Sequence, residues 1–367
     1  MSVTENRGPD ASGKSSAPLP VAPLGAGGSN VSRLALGTMT FGTETDEAES
    51  HRQLDLFAER GGTLIDTADV YGEGESERIV GRWLEARGRG DDFVIATKGR
   101  FAPPAGSPGA SRRALKRSVA RSLERLEVEA IDLYFIHGWD RDTPVRETLA
   151  ALGELVAAGK IHDVGWSNVT GWQLQRILSV AEAEGFPRPV AMQPQYNLLD
   201  RGIEWELLPC CLEADVAVTP WSPLGGGWLT GKYSRDARPS GASRLGEDPD
   251  RGVEAYDLRN TARTWAVLEV VERIAGAHGR PMSHVALAWL LSRPGVASVL
   301  LGARTAAQLE DNLGAVGLEL DEGELRELSE VSAPGLPPYP YAMIEEFCGV
   351  DVWRRLGTRR AAEAPTG

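Results

Sequence analysis

Four residues of complementary chemistry stand at or just beyond the ends of short apolar runs. Asp66 follows TLI, Tyr71 lies five residues further on, Lys98 follows FVIAT and His137 follows IDLYFI. If they converge, an acid, a phenol, an ammonium and an imidazole make a proton-delivery device. Tyrosine, with a pKa near ~10, is a poor acid or base at neutrality. A lysine ammonium beside it stabilises the phenolate and lowers that pKa, and an aspartate holds the lysine charged and oriented. A neutral histidine can hydrogen-bond a substrate oxygen. The set suits protonation of a carbonyl oxygen whose carbon is receiving a hydride. Each residue alone has a plainer reading: a cap or strand-end carboxylate, a loop packing residue, a solvated lysine, a core histidine.

A second stretch, GGGWLTGKY from Gly225 to Tyr233, matches the phosphate-loop pattern except in its last letter. That letter must be Ser or Thr, because its hydroxyl holds Mg²⁺. Tyr233 cannot do this, and the following SRDARPSGAS does not read as a helix start. The match is accidental, although a phosphate can still sit nearby.

The elements that would position these residues alternate from about residue 31. Apolar runs lead one by one into helical patterns: SRLALGTMTFG into ESHRQLDLFAERG, TLIDTADVYG into SERIVGRWLEARG, and FVIATKG, after a Pro/Gly loop, into SRRALKRSVARSLERL. IDLYFIHGWD, IHDVGWSN, VAMQPQYNLLD, VAVTPWSPL and ASVLLGAR open the other five units. The runs lack strict alternation, as parallel strands buried on both faces should. Leu115, Val119, Leu123 and Leu126 show the spacing of an amphipathic helix, and Gly61, Gly88, Gly159 and Gly185 read as helix ends. Eight strand–helix units predict an α/β fold of the (β/α)8 TIM-barrel type, whose chemistry sits at the C-terminal ends of the strands. No GxGxxG follows the first strand, which argues against a doubly wound dinucleotide-binding sheet. The expected division is a disordered leader over 1–30, a barrel over 31–335 with a loop insertion at 233–260, and a Pro-rich, partly helical tail over 336–367.

Bulk properties exclude several classes. The 367 residues are 42% hydrophobic and 25% charged, enough for a large core, and the net charge is −13. That balance argues against nucleic acid and anionic membranes as partners. No apolar run reaches a membrane-spanning length, and the N-terminus lacks a secretory signal. Three cysteines, Cys210, Cys211 and Cys348, show neither redox nor metal-ligand spacing, so no metal is expected and a reducing cytoplasm is the plain reading.

The motifs LGTMTFG, IDTADVYG, ATKG, DLYFIHGWD, GWSN, QPQYN, PWSPLGGGWLTGKY and GARTAAQLEDN, in this order over roughly 31–330, resemble those of the aldo-keto reductases. The resemblance implies a catalytic tetrad of Asp66, Tyr71, Lys98 and His137, and an NADPH site without a Rossmann fold. Thr38, Met39 and Asp66 fall at cofactor-contact positions. Ser167, Asn168 and Gln193 match the trio that hydrogen-bonds the nicotinamide carboxamide, and Trp221 the ring that stacks on it. Ser222, Leu224, Gly226 and Lys232 resemble pyrophosphate contacts. Gly302, Arg304, Gln308, Asp311 and Asn312 match the adenosine end, with Arg304 suited to a 2′-phosphate. Gly302 and Ala303 replace a Lys-Ser pair found in some relatives.

The resemblance implies NADPH-dependent reduction of a small aldehyde or ketone to an alcohol. A nucleotide-activated keto-deoxysugar is an alternative substrate, because the tail and loops also resemble deoxysugar-pathway reductases. Some of that branch reduce C=C bonds, but His137 leans towards carbonyl reduction. A third reading comes from the potassium-channel β-subunits, which share the barrel and act as redox-sensing regulators. Oligomeric state is not legible.

Overall fold

Strands of two to seven residues are enough here, because each is completed by its neighbours on both sides. The computed structural model of the chain describes residues 18–88, 90–101 and 109–358. A hairpin of β1 (Val21–Pro23) and β2 (Asn30–Ser32) precedes eight parallel strands: β3 (Leu34–Gly37), β4 (Leu64–Asp66), β5 (Val94–Gly99), β6 (Ile131–Ile136), β7 (Ile161–Ser167), β8 (Ala191–Gln193), β9 (Ala217–Val218) and β10 (Val299–Gly302). The strands pair in chain order, and β10 returns to β3. The ring closes where Val218 bonds to Gly295 O at 2.8 Å and accepts from Ala297 N at 2.9 Å. This is the expected (β/α)8 barrel.

Helices α1 (Glu47–Glu59), α2 (Glu75–Arg87), α3 (Arg112–Leu126), α4 (Val145–Ala157), α5 (Gly171–Glu184) and α6 (Leu207–Glu213) each follow a barrel strand. After β9 come two short turns, α7 (Arg244–Glu247) and α8 (Tyr256–Arg259), then α9 (Ala262–His278) and α10 (Met282–Leu291). Helix α11 (Ala306–Leu313) follows β10, and α12 (Glu322–Val331), α13 (Met343–Cys348) and α14 (Val352–Arg355) complete the chain. Local signals set the boundaries. Ser111 caps α3 by accepting from Ala114 N, and its Leu115, Val119 and Leu126 are buried while Leu123 is partly so. The four glycines read as helix ends are all left-handed.

Period-two alternation divides each strand between two cores. Leu64, Ala96, Leu133, Phe135, Ala191, Ala217 and Leu300 fill the barrel interior. Ile65, Ile95, Ile136, Trp166 and Val218 face the helices. The inward series continues to the strand ends: two residues past Leu64 is Asp66, past Ala96 is Lys98, past Phe135 is His137 and past Ala191 is Gln193. Parity therefore aims those four side chains into the barrel mouth.

Three regions differ from the sequence expectation or refine it. Residues 1–17 of the expected leader lie outside the described residues, but 21–32 pair as a hairpin whose Leu24 and Val31 join the interior core. Three-residue strands around a Gly-rich turn carry too little periodicity to read. The 233–260 insertion is not a plain loop: it contains two helical turns, and its Glu254 and Tyr256 are buried. The Pro/Gly loop at 102–108 and tail residues 359–367 also lie outside the described residues.

The tail is fastened by a buried ion pair. Arg201, fully enclosed, holds Glu204 through Nε and Nη2, both at 2.8 Å. It also donates to Leu356 O at 3.0 Å, Gly357 O at 3.1 Å and Ser329 O at 2.5 Å. Glu204 in turn accepts from Thr358 and Tyr196, both at 2.6 Å. Removing one member leaves a buried charge uncompensated. We expect Arg201→Met to lower unfolding stability by about 3–5 kcal/mol in urea titration. A wild-type midpoint would show that the clamp carries no net stability.

Candidate active site

The centre of the site is a charged lysine with no access to water. Lys98 Nζ donates to Asp66 Oδ1 at 2.5 Å, to Thr67 O at 2.7 Å and to the Tyr71 hydroxyl at 3.2 Å. Lys98 is 0% and Asp66 2% exposed. The second oxygen of Asp66 accepts from Gln193 Nε2 at 2.8 Å. Three ammonium protons and both carboxylate oxygens thus have partners, which such burial demands. Burial acts against the Lys98 ammonium, but Asp66 and Tyr71 outweigh it and hold its pKa above the ordinary lysine value. Burial pushes the Asp66 carboxyl up, and Lys98 and Gln193 pull it back in part.

The structure corrects the expected acidity of Tyr71. Burial is the largest influence and raises its pKa above that of free tyrosine; the Lys98 charge offsets this only in part. The phenol is therefore firmly protonated at neutral pH, which suits a proton donor. Lys98 is placed to stabilise the phenolate that donation leaves behind.

His137 completes the mouth. Its ring is 6.0 Å from that of Tyr71, nearly edge-on, and 4.8 Å from Phe101. Burial, with Lys98 and Arg100 as neighbouring cations, lowers its pKa to about 3, so the imidazole is neutral. Its Nδ1 is buried with no hydrogen-bond partner. A neutral ring can donate to a substrate oxygen without competing for Tyr71's proton.

Ser167, Asn168, Gln193 and Trp221 are brought together beside this group. Ser167 Oγ donates to Gln193 O at 2.6 Å. Asn168 Nδ2 donates to His137 O at 3.0 Å, and its Oδ1 accepts from Trp221 Nε1 at 3.2 Å. Asn168 and Ser222 both hold left-handed backbone, φ 54 in each. Such strain in non-glycine residues persists only where surrounding contacts impose it. Thr38, expected at a cofactor-contact position, is fully buried, and its hydroxyl donates to Asp66 O at 3.0 Å and pairs with Ser76 at 2.7 Å. It supports the site from behind, while its neighbour Met39 is 40% exposed.

A second cluster surrounds the glycine loop. Gly225, Gly226 and Gly227 have φ of 56, 65 and 93, so only glycine fits without strain. A Cβ on Gly226 would collide with the Glu254 carboxylate, and one on Gly227 with the Lys232 side chain. Tyr233, at the position that spoiled the phosphate-loop match, donates to Gly226 O at 2.9 Å and holds the loop's shape. Leu224 precedes the turn at its N-terminal end. Burial, followed by the charges of Arg304 and Arg244, holds Lys232 below the ordinary lysine value. Three cations therefore share one space around a backbone cradle, which fits a multiply charged phosphate ligand.

Acids from two other segments meet those cations. Arg304 forms a two-pronged pair with Glu247, both bonds 2.7 Å, and bonds Glu44 at 2.7 Å. Arg251 also reaches Glu44, at 2.7 Å. Glu254 accepts from Ser222 Oγ and from Arg244 Nε, the latter at 2.9 Å. Sequence reasoning missed Arg244, Glu44, Glu247 and Glu254, because they lie in segments without periodicity. The Ser-Arg-Leu-Gly-Glu start of α7, capped by Ser243, was the one local signal.

The last group lies along α11. Arg304 N donates to Gln308 Oε1 at 2.9 Å, Asn312 is 7% exposed, and Asp311 is exposed with its carbonyl bonded to His284 at 2.6 Å. Gly302 ends β10 on the exposed rim.

Comparison with known proteins finds related chains. The family model described as the aldo/keto reductase family matches residues 33–333. An uncharacterised oxidoreductase, YrpG, of Bacillus subtilis is 35% identical over 332 residues, covering 87% of this chain and 98% of its own. A norsolorinic acid reductase, stcV, of Emericella nidulans is 33% identical over 87% of this chain and 82% of its own. A probable voltage-gated potassium channel subunit beta of Arabidopsis thaliana is 32% identical over 80% of this chain and 90% of its own.

The enclosure of His137 yields a direct test. With its pKa at about 3, its ring signals in a heteronuclear NMR spectrum should not titrate between pH 5 and 8. A midpoint above 5 would mean that the imidazole is charged in the working range.

Proposed function

The chain belongs to the aldo/keto reductase family and is an oxidoreductase acting on carbonyl groups. From that premise we propose that it reduces an aldehyde or ketone to an alcohol with NADPH as the reductant, Tyr71 being the acid. The family generally uses NAD(P)H and acts on small carbonyl compounds. The observation that carries the reading is the Tyr71 hydroxyl held 3.2 Å from a buried lysine that Asp66 keeps charged. When bound, the reduced nicotinamide supplies hydride to the carbonyl carbon. His137 donates a hydrogen bond to the carbonyl oxygen and fixes its direction. Tyr71 transfers its proton to that oxygen. The Lys98 charge stabilises the phenolate, and Asp66 with Gln193 keeps Lys98 in place. Ser167, Asn168 and Gln193 orient the nicotinamide, with Trp221 against its ring. The glycine cradle and Lys232 hold the pyrophosphate.

Preference for NADPH rests on Arg304, joined by Arg244, as the partner of a 2′-phosphate. The Glu247 and Glu44 carboxylates would yield to that more highly charged group. Gln308, Asp311 and Asn312 then hold the adenosine. No helix among the described residues is long and apolar enough to cross a membrane. The free thiols Cys210, Cys211 and Cys348 suit a reducing cytoplasm.

Likeness to a channel subunit favours one second reading, a redox-sensing regulator with the same site. Steady-state NADPH oxidation over a panel of aldehydes, extended to keto-sugar nucleotides, separates the two. Brisk turnover with one class identifies an enzyme, and turnover slower than about one per minute with all of them identifies a sensor. Tyr71→Phe should lower kcat by at least about 10²-fold with the NADPH Kd kept; unchanged kcat refutes Tyr71 as the acid. Arg304→Ala should raise the NADPH KM about tenfold or more while leaving the NADH KM nearly unchanged. Equal effects would mean that Arg304 does not read the 2′-phosphate.

A further inference from the structure

One buried acid beside the tetrad has no partner cation among the described residues. Asp69 lies two residues before Tyr71 and is 3% exposed. Its backbone N–H donates to Lys98 O at 3.0 Å, which ties its loop to β5. Its Oδ2 accepts from Ser118 Oγ on α3 at 2.8 Å, and Ser118 accepts from the Tyr134 hydroxyl of β6 at 3.0 Å. Its Oδ1 is buried with no hydrogen-bond partner. Gly99, next to Lys98, makes room for this chain, since a Cβ there would collide with both hydroxyls.

The charges around it do not balance. Asp66 is paired with Lys98. Glu77 of α2, fully enclosed, is paired with Arg125 of α3 at 2.6 Å and accepts from Thr97 at 2.6 Å. That leaves three acids against two cations, with Asp69 served only by a hydroxyl. We propose that Asp69 is a positioning residue for the proton transfer: through its own protonation it sets how readily Tyr71 gives up its proton. The inference rests on Tyr71 being the acid.

Physical reasoning gives the direction. Donation by Tyr71 creates a phenolate, and a second anion nearby opposes it. Asp69 is among the charges felt by Tyr71, and its ionised form raises the phenol's pKa. Burial first, then the charge of Glu77, push the Asp69 carboxyl up to about 7 against the bond from Ser118 and the attraction of Arg125 and Lys98. Below that pH Asp69 is neutral and Tyr71 is the stronger acid; above it Asp69 is ionised and proton donation slows. Tyr71 and Lys98 lie above their ordinary alkaline values and His137 near 3, so none of them produces a limb near neutrality.

The test is the single-turnover rate of the full chain with NADPH, using the fastest aldehyde of the panel above, from pH 5.5 to 9. The wild-type rate should fall roughly tenfold through a midpoint near 7. Asp69→Asn should turn over without that limb. Ser118→Ala, which keeps the acid but removes its hydrogen-bond donor, should move the midpoint to higher pH. A wild-type profile flat across neutrality, or an Asp69→Asn profile that keeps the limb, overturns the proposal. Should Asp69→Asn fail to fold, an unmoved midpoint in Ser118→Ala overturns it instead. Tyr71→Phe separates the two readings: if it retains turnover, the assignment of the acid fails. If it is inactive while Asp69→Asn keeps the limb, only the role of Asp69 fails.

Discussion

A charged amine inside a protein is tolerable only when every proton it carries has an acceptor, and Lys98 meets that condition. Its three partners are Asp66, the Thr67 carbonyl and the Tyr71 hydroxyl. They come from β4 and the loop that leaves it, so the lysine of β5 locks that loop's conformation. Register does the rest. Asp66 pairs with Ala96 across the two strands, which puts Lys98 one inward step beyond it. The barrel's alternation therefore delivers two opposite charges to one point before any loop is considered. Tyr71, on a turn anchored by the same lysine, follows from that pairing.

The second constraint is a cluster of cations that need anionic partners. At the glycine loop the protein gathers Lys232, Arg244 and Arg304, and it balances them with Glu247 and Glu254 of the insertion and with Glu44 from far away in the sequence. The insertion is rooted by aromatic packing: Trp228 stacks on Tyr256 at 5.5 Å and meets Tyr233 at 5.2 Å and Trp265 at 5.8 Å. Its outer part is joined to the barrel chiefly through exchangeable ion pairs. An apolar root with a charged edge fixes the base of the segment and leaves its outer part held by charge.

Much of this was legible from the residues. The eight units could be read because each strand is a continuous apolar run between glycine-ended helices, and the four candidate site residues stood at or just beyond the ends of those runs. The electrostatics were less legible. The phenol was expected to be more acidic than free tyrosine, but burial raises its pKa more than Lys98 lowers it, and depth of burial is not written in a local motif. The resemblance put Thr38 at a cofactor-contact position but said nothing of its own partners, and in the folded chain its hydroxyl faces Ser76. The hairpin over 21–32 and the charged contacts of the insertion escaped because they depend on tertiary partners rather than on local periodicity, as Leu24 does on the barrel interior and Arg304 on Glu44, 260 residues away.

The clamp at the end of the chain has an implication for sequence drift. Arg201 reaches residues 356 and 357 through their main-chain oxygens, and Arg293 also bonds to the carbonyl of Leu356. The hook grips peptide groups, but the residues it holds are not free to vary: Leu356 is enclosed, Gly357 is left-handed, and Thr358 is buried with its hydroxyl on Glu204. Drift is therefore easiest at the exposed neighbours Arg354 and Arg355, which the hook leaves in water.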